Sequence, residues 1–150
     1  MSPFVKLDKV INLNQKANMR LINRVFQSVG DKDRKQIQQY PHTFCNIGEP
    51  FDKENYAARY SFTQCPNAEF AKKHGLLYML PLFCNSDYLR ISRIHGTLIR
   101  RGTCGNSDRC GYCVVGSENP MAKKYEIVKD EMGFLVSKER GRSASAGSSG

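Results

Sequence analysis

No stretch of this sequence stays apolar for the roughly 18 residues that a bilayer span requires. The longest candidate, Leu76 to Cys84, is short and contains Pro81. Met1 to Leu13 has no uninterrupted apolar core followed by small residues, so no secretory leader is expected and a cytoplasmic location is. There is no tight arginine run and no aromatic–basic ribonucleoprotein motif, which argues against nucleic-acid recognition. The histidines His42, His74 and His95 have no metalloenzyme spacing, and the pair Cys110/Cys113 has no second C-x-x-C partner. Internal repeats are also lacking. These absences leave a small domain without an obvious metal or nucleic-acid signature.

What is present is a chain of 150 residues with a net charge of +9 and six cysteines. That length fits one domain with a single core. The basic residues are spread along the chain and interleaved with acids, as in Lys123, Lys124, Glu126, Lys129, Asp130 and Glu131. Such a pattern reads as a solvated basic surface, and an anionic small-molecule substrate would suit it equally. Nothing in the sequence sets an oligomeric state. In a domain of this size without an export signal, the cysteines are expected as reduced thiols rather than disulfides.

Ser2-Pro3 is a helix-start pair. Leu7, Val10, Ile11, Ala17, Leu21, Ile22, Val25 and Val29 recur at helical steps up to Gly30, which predicts a helix over residues 3–29. Asp31 would cap a second, short helix ending before Pro41. Residues 1–40 therefore form an N-terminal helical region, and 41–58, with Pro41, Gly48 and Pro50, a loop or linker. Residues 59–138 form a cysteine-bearing core. Arg59 to Cys65 reads as a strand, and Cys65-Pro66 opens a helix stopped by Gly75. A further helical stretch carries Cys84 and Asp87. Gly96 to Cys104 and Gly111 to Gly116 read as strands joined by a turn over 105–108. Tyr125 to Val136 fits either a strand pair or a helix with a strand, and 139–150 a disordered tail. The expected fold is α+β: N-terminal helices packed on a small antiparallel sheet in a single domain.

Cys65 ends a strand at the first turn of a helix. A thiol there meets unpaired N–H groups and the positive helix end, which favour the thiolate needed for nucleophilic attack or metal ligation. A buried structural cysteine fits the same letters. Cys84 and Asp87, three apart, share a helix face and would serve as a nucleophile with its acid–base partner or as metal ligands. Cys84, Cys110 and Cys113 are the thiols that zinc would take, although an extended 110–113 segment points Cys110 and Cys113 to opposite faces. No other cofactor is expected. Arg100 or Arg101 could hold a substrate carboxylate, and one only, because neighbours on a strand face opposite sides. His95 is a further candidate acid–base or substrate-binding group.

The order Cys65-Pro66-Asn67-Ala68-Glu69-Phe70, Gly75, then Cys84-Asn85-Ser86-Asp87, then Gly105 through Cys110-Gly111-Tyr112-Cys113 resembles the L-2-amino-thiazoline-4-carboxylic acid hydrolase family. The likeness covers about 60 residues, roughly 59–117. Gly111 and Tyr112 stand where that family usually has aspartate and phenylalanine, and the stretch before Cys65 is short for it. The resemblance implies hydrolytic opening of an aminothiazoline ring to an N-carbamoyl cysteine, with Cys65, Cys84, Asp87 and Cys110 lining one pocket. The helix–strand order with late cysteines also resembles, more loosely, vinyl-reductase-type sensor domains. That resemblance implies a non-catalytic module binding a small molecule or zinc.

Overall fold

Pro3–Gln36 form one continuous helix, α1, where the sequence predicts a stop at Gly30 and a second helix beyond it. The computed structural model describes residues 3–141, with side chains from residue 15 onward; Ser2 and the side chains of Leu7, Val10 and Ile11 lie outside the described residues. A Cβ on Gly30 would sit 2.8 Å from the Asn46 carbonyl oxygen. The glycine thus allows the helix to approach a strand closely and does not end it. Asp33 is buried and accepts a hydrogen bond from the Asn46 backbone N–H at 3.1 Å. Asp31, the expected cap, instead pairs with Arg34 at the surface.

The inward face of α1 also departs from the expected apolar stripe. Leu21 and Val25 are 60% and 46% exposed, while Gln15, Met19 and Asn23 are buried. The helix lies across all four strands of the main sheet, and polar side chains on both sides of the contact reach backbone groups across it. Gln15 Oε1 accepts from the Glu118 N–H, and Asn46 Nδ2 donates to the Phe26 carbonyl. Helical periodicity cannot reveal such a use of polar side chains.

The main sheet runs β1 (Cys45–Gly48), β2 (Ala58–Gln64), β4 (Cys110–Gly116), β3 (Gly96–Ile99), with every neighbour antiparallel. β1 falls within the segment expected to be a loop. It is a short edge strand with an irregular register at Cys45/Asn46, and it has too few residues to show alternation. β5 (Tyr125–Lys129) and β6 (Leu135–Glu139) form a separate hairpin, so the expected tail starts too early: Glu139 closes a strand. Arg140 still donates its N–H to the Lys124 carbonyl, and residues 142–150 lie outside the described residues.

Between the strands run α2 (Pro66–Lys73), a turn of 3-10 helix at Leu77–Met79, α3 (Leu80–Cys84) and α4 (Ser86–Ser92). Gly75 has φ +67 and the Leu76 N–H donates to the Ala71 carbonyl, the hydrogen bond of a left-handed helix stop. Pro81 opens α3 instead of breaking it. Asn85 marks the α3–α4 junction and clamps it to the hairpin, donating to the Gly133 carbonyl and accepting from the Leu135 N–H. A short helix, α5 (Pro120–Lys123), leads into β5. The predicted turn over 105–108 is the tip of a longer connection, because β3 ends at Ile99. Asn106 holds that tip, accepting from the Thr103 N–H and donating to Asp130. Among the described residues no helix is long and apolar enough to cross a membrane. The molecule is an α+β fold.

Candidate functional site

A cavity of about 780 Å³ lies between α1, the inner face of β2 and β4, and the α2–α4 segment. Four of the six cysteines line it: Cys65, Cys84, Cys104 and Cys110, together with Asp87 and Arg90. All six are free thiols. The convergence follows from local chain rules. Cys65 leaves β2 in extended backbone (φ −134) and is the N-cap of α2, with Pro66 in the first turn. Cys84 ends α3, and Asp87 sits in the first turn of α4. Cys110 opens β4, whose period of two sends Cys110 and Tyr112 inward.

The floor of the site is a hydrogen-bonded chain. Arg100, immediately after β3, has no exposed surface. Its Nη1 donates to the Cys84 carbonyl at 3.0 Å and to Asp87 Oδ2 at 3.2 Å, and Nη2 donates to the Leu135 carbonyl at 3.3 Å. The guanidinium also lies 5.0 Å from the Tyr88 ring centroid and 5.7 Å from that of Tyr112. Burial opposes its charge, Tyr112, Cys110 and Tyr88 favour it, and the balance raises its pKa. The Tyr112 hydroxyl donates to Asp87 Oδ2 at 2.6 Å, and the Cys110 thiol donates to that hydroxyl at 3.5 Å. Asp87 is thus held through one carboxylate oxygen. Its Oδ1 accepts no hydrogen bond among the described residues.

Burial pushes the Cys84 thiol up to about 12 and the Cys104 thiol up to about 11, with the neighbouring Cys110 adding to both shifts. Cys110 is also raised, again first by burial. These three stay protonated near neutral pH and are poor nucleophiles and poor metal ligands there. Cys65 differs in position, as the thiol at the start of an eight-residue helix, although its sulfur makes no capping hydrogen bond.

Several expected site residues lie elsewhere. Cys113 packs with Ala57, Ile99 and Val115 on the opposite face of the sheet, so Cys84, Cys110 and Cys113 do not form a metal site. Among the described residues no three ligating side chains converge on a metal position. Arg101 is exposed and pairs with Glu139. His95 is exposed in the left-handed region (φ +57), in the tight turn before β3. Arg100 lies under the cavity with no exposed surface; both Nη atoms donate to protein groups, while Nε has no partner among the described residues, so the buried guanidinium positions Asp87 and does not reach a substrate. The cation at the cavity is Arg90. It makes no hydrogen bond or ion pair among the described residues, and its spacing of three from Asp87 on α4 is the available sequence signal.

The aromatic side of the cavity is equally absent from the sequence-based expectations. Phe26, Tyr60 and Tyr112 stack with ring centroids 3.6 and 4.7 Å apart and planes within 10°. Phe62 meets each of them edge-on. No protein-family model, curated protein or solved structure matches this chain.

Proposed function

We propose that the cavity is the active site of a hydrolase acting on a small heterocyclic, amino-acid-type substrate, of which an aminothiazoline carboxylate is the type case. The observation that carries this reading is the convergence of Cys65, Cys84, Cys110 and Asp87 on one cavity, from positions far apart in the chain. The resemblance over residues 59–117 supplies the substrate class, and an unpaired Arg90 suits a substrate carboxylate.

In this reading Asp87 takes the proton from the Cys65 thiol, and the sulfur adds to the ring carbon that carries the amino group. The ring C–S bond breaks with its electron pair on the ring sulfur, which takes the proton back from Asp87. Water, deprotonated by Asp87, then adds to the same carbon and expels the Cys65 sulfur, which recovers that proton, while the remaining hydroxyl proton moves to the former ring nitrogen. One water is consumed, the ring C–S and C=N bonds give way to C=O and C–NH, and the product is an N-carbamoyl cysteine with a free thiol. Arg100 and Tyr112 hold Asp87 Oδ2, leaving Oδ1 for the proton transfers. Cys84, Cys104 and Cys110 act as apolar, protonated lining. A cytoplasmic setting, where thiols stay reduced, fits this role.

The test is turnover of L-2-amino-thiazoline-4-carboxylate by the whole chain and by Cys65→Ser and Asp87→Asn. Losses of about 100-fold or more in kcat with unchanged circular dichroism are expected. Turnover that survives Cys65→Ser would remove the covalent step. A second reading, a non-catalytic small-molecule-binding module of sensor type, draws on the three protonated thiols and the engaged Asp87 oxygen. Saturable binding without turnover would favour it; a zinc-binding form would need those thiols to deprotonate on metal binding, and one tightly held zinc in the purified protein would favour that form.

A further inference from the structure

The cavity is much larger than a five-membered ring with one carboxylate needs. An apolar cavity of roughly 150 Å³ already accommodates benzene, whereas this one measures about 780 Å³, within the range that holds drug-sized ligands. Its lining is apolar and aromatic well beyond the reacting groups. The Phe26–Tyr60–Tyr112 stack and the edge-on Phe62 form one side. The outer rim is built from Phe44, Leu82 and Phe83, which line the cavity yet are 39%, 73% and 65% exposed. Large apolar side chains left in water around a concave site are a mark of ligand recognition, since a small polar amino acid would give them nothing to bury against.

We infer that the natural ligand is a planar, conjugated monoanion about the size of two fused rings or larger, with its carboxylate at Arg90 and its ring system along the aromatic wall. This rests on the cavity being the ligand site, as proposed above, and it narrows the substrate class to aromatic or extended heterocyclic acids. Aromatic groups favour a flat π-system through offset or edge-to-face contact, which a saturated ring of equal size cannot make. Arg90, the one cation lining the cavity among the described residues, matches a single carboxylate.

The experiment measures binding by calorimetry, not turnover, for three carboxylates of equal charge. They are aminothiazoline-4-carboxylate, a fused bicyclic heteroaromatic carboxylate, and a saturated bicyclic carboxylate of the same size. The expected order places the fused aromatic acid at least tenfold tighter than each of the other two. Phe83→Ala, a change at a rim residue that is 65% exposed, is expected to weaken that acid several-fold while leaving thermal stability unchanged. Arg90→Gln should weaken all three. Equal affinities across the series, or a preference for the saturated acid, would overturn the inference. If the fused acid binds tightly and no thiazoline is hydrolysed, the inference stands and the hydrolase reading falls. If the single ring is turned over efficiently and a second ring adds no affinity, the hydrolase reading stands and the inference falls.

Discussion

The two faces of the central sheet come from the same strands yet have opposite chemistry. β2 sends Tyr60 and Phe62 to the covered face, and Arg59 and Ser61 to the other. β4 sends Cys110, Tyr112 and Val114 one way, and Gly111, Cys113 and Val115 the other. The covered face carries the thiol-lined cavity. The opposite face has a shallower concavity of about 470 Å³, bordered by Arg59, Arg101 and Arg109. Each of those arginines has a carboxylate within 3.5 Å: Asp52, Glu139 and Asp108. Their charge is thus locally balanced, and a cluster of cations does not mark the site. The covered cavity instead holds an exposed arginine with no ion pair among the described residues, Arg90, and a carboxylate with one uncommitted oxygen, Asp87. Because residues alternate strictly between the faces, a shift of one position in β4 would exchange the two surfaces.

Neighbouring residues Arg100 and Arg101 make the strongest contrast. Arg100→Met should lower stability by about 3–5 kcal/mol, because Asp87 would lose its buried partner and the Cys84 and Leu135 carbonyls their donor. Arg101→Met should stay within about 0.5 kcal/mol. Urea denaturation of both variants checks this, and equal losses would contradict the assigned burial. Two glycines give the next contrast. A Cβ on Gly105 would meet Phe134 Cζ at 2.4 Å and Leu80 Cδ2 at 2.8 Å, whereas one on Gly111 meets only Ser61 Oγ at 3.9 Å. Gly105→Ala is expected to cost about 1–3 kcal/mol by overpacking. Gly111→Ala should cost under about 0.5 kcal/mol at a surface of this kind, so thermal midpoints that fall equally would break the distinction between faces.

Tyr112→Phe removes the hydroxyl between Cys110 and Asp87 and installs the residue usual in the resembled family. A loss of about 1–2 kcal/mol is expected for one hydrogen bond to a charged group. Urea denaturation checks this, and an unchanged midpoint would contradict the Tyr112–Asp87 hydrogen bond. The smallest effect near neutral pH concerns the raised thiols. Folding binds the protons of Cys84 and Cys104 more tightly than the unfolded chain does. Their contribution is therefore full below the ordinary thiol value of about 9 and is lost as pH rises toward about 11 and 12. Alkaline denaturation should be less steep in Cys84→Ala than in the parent, and an unchanged slope would contradict the burial of that thiol.

Much of the site is legible in the letters. Cys65-Pro66 marks its helix start, Gly75 its stop, and the alternation of β4 requires Cys110 and Cys113 to part. The strand β1 is not legible, because four residues at a sheet edge show no period. Gly30 reads as a stop because the sequence cannot show that a backbone passes 2.8 Å from its missing Cβ. Arg100 and Arg101 are indistinguishable as neighbours, and only its spacing of three from Asp87 sets Arg90 apart from them.

Local rules alone thus determined the class of fold, the bounds of β2, α2 and β4 to within a residue and the opposite directions of adjacent strand residues, since propensity, capping and periodicity act over a few residues. Packing decided which arginine was buried, which glycine marked close contact and which cysteines met. Those outcomes depend on groups tens of residues apart occupying the same small volume, and spacing along a chain carries no record of that.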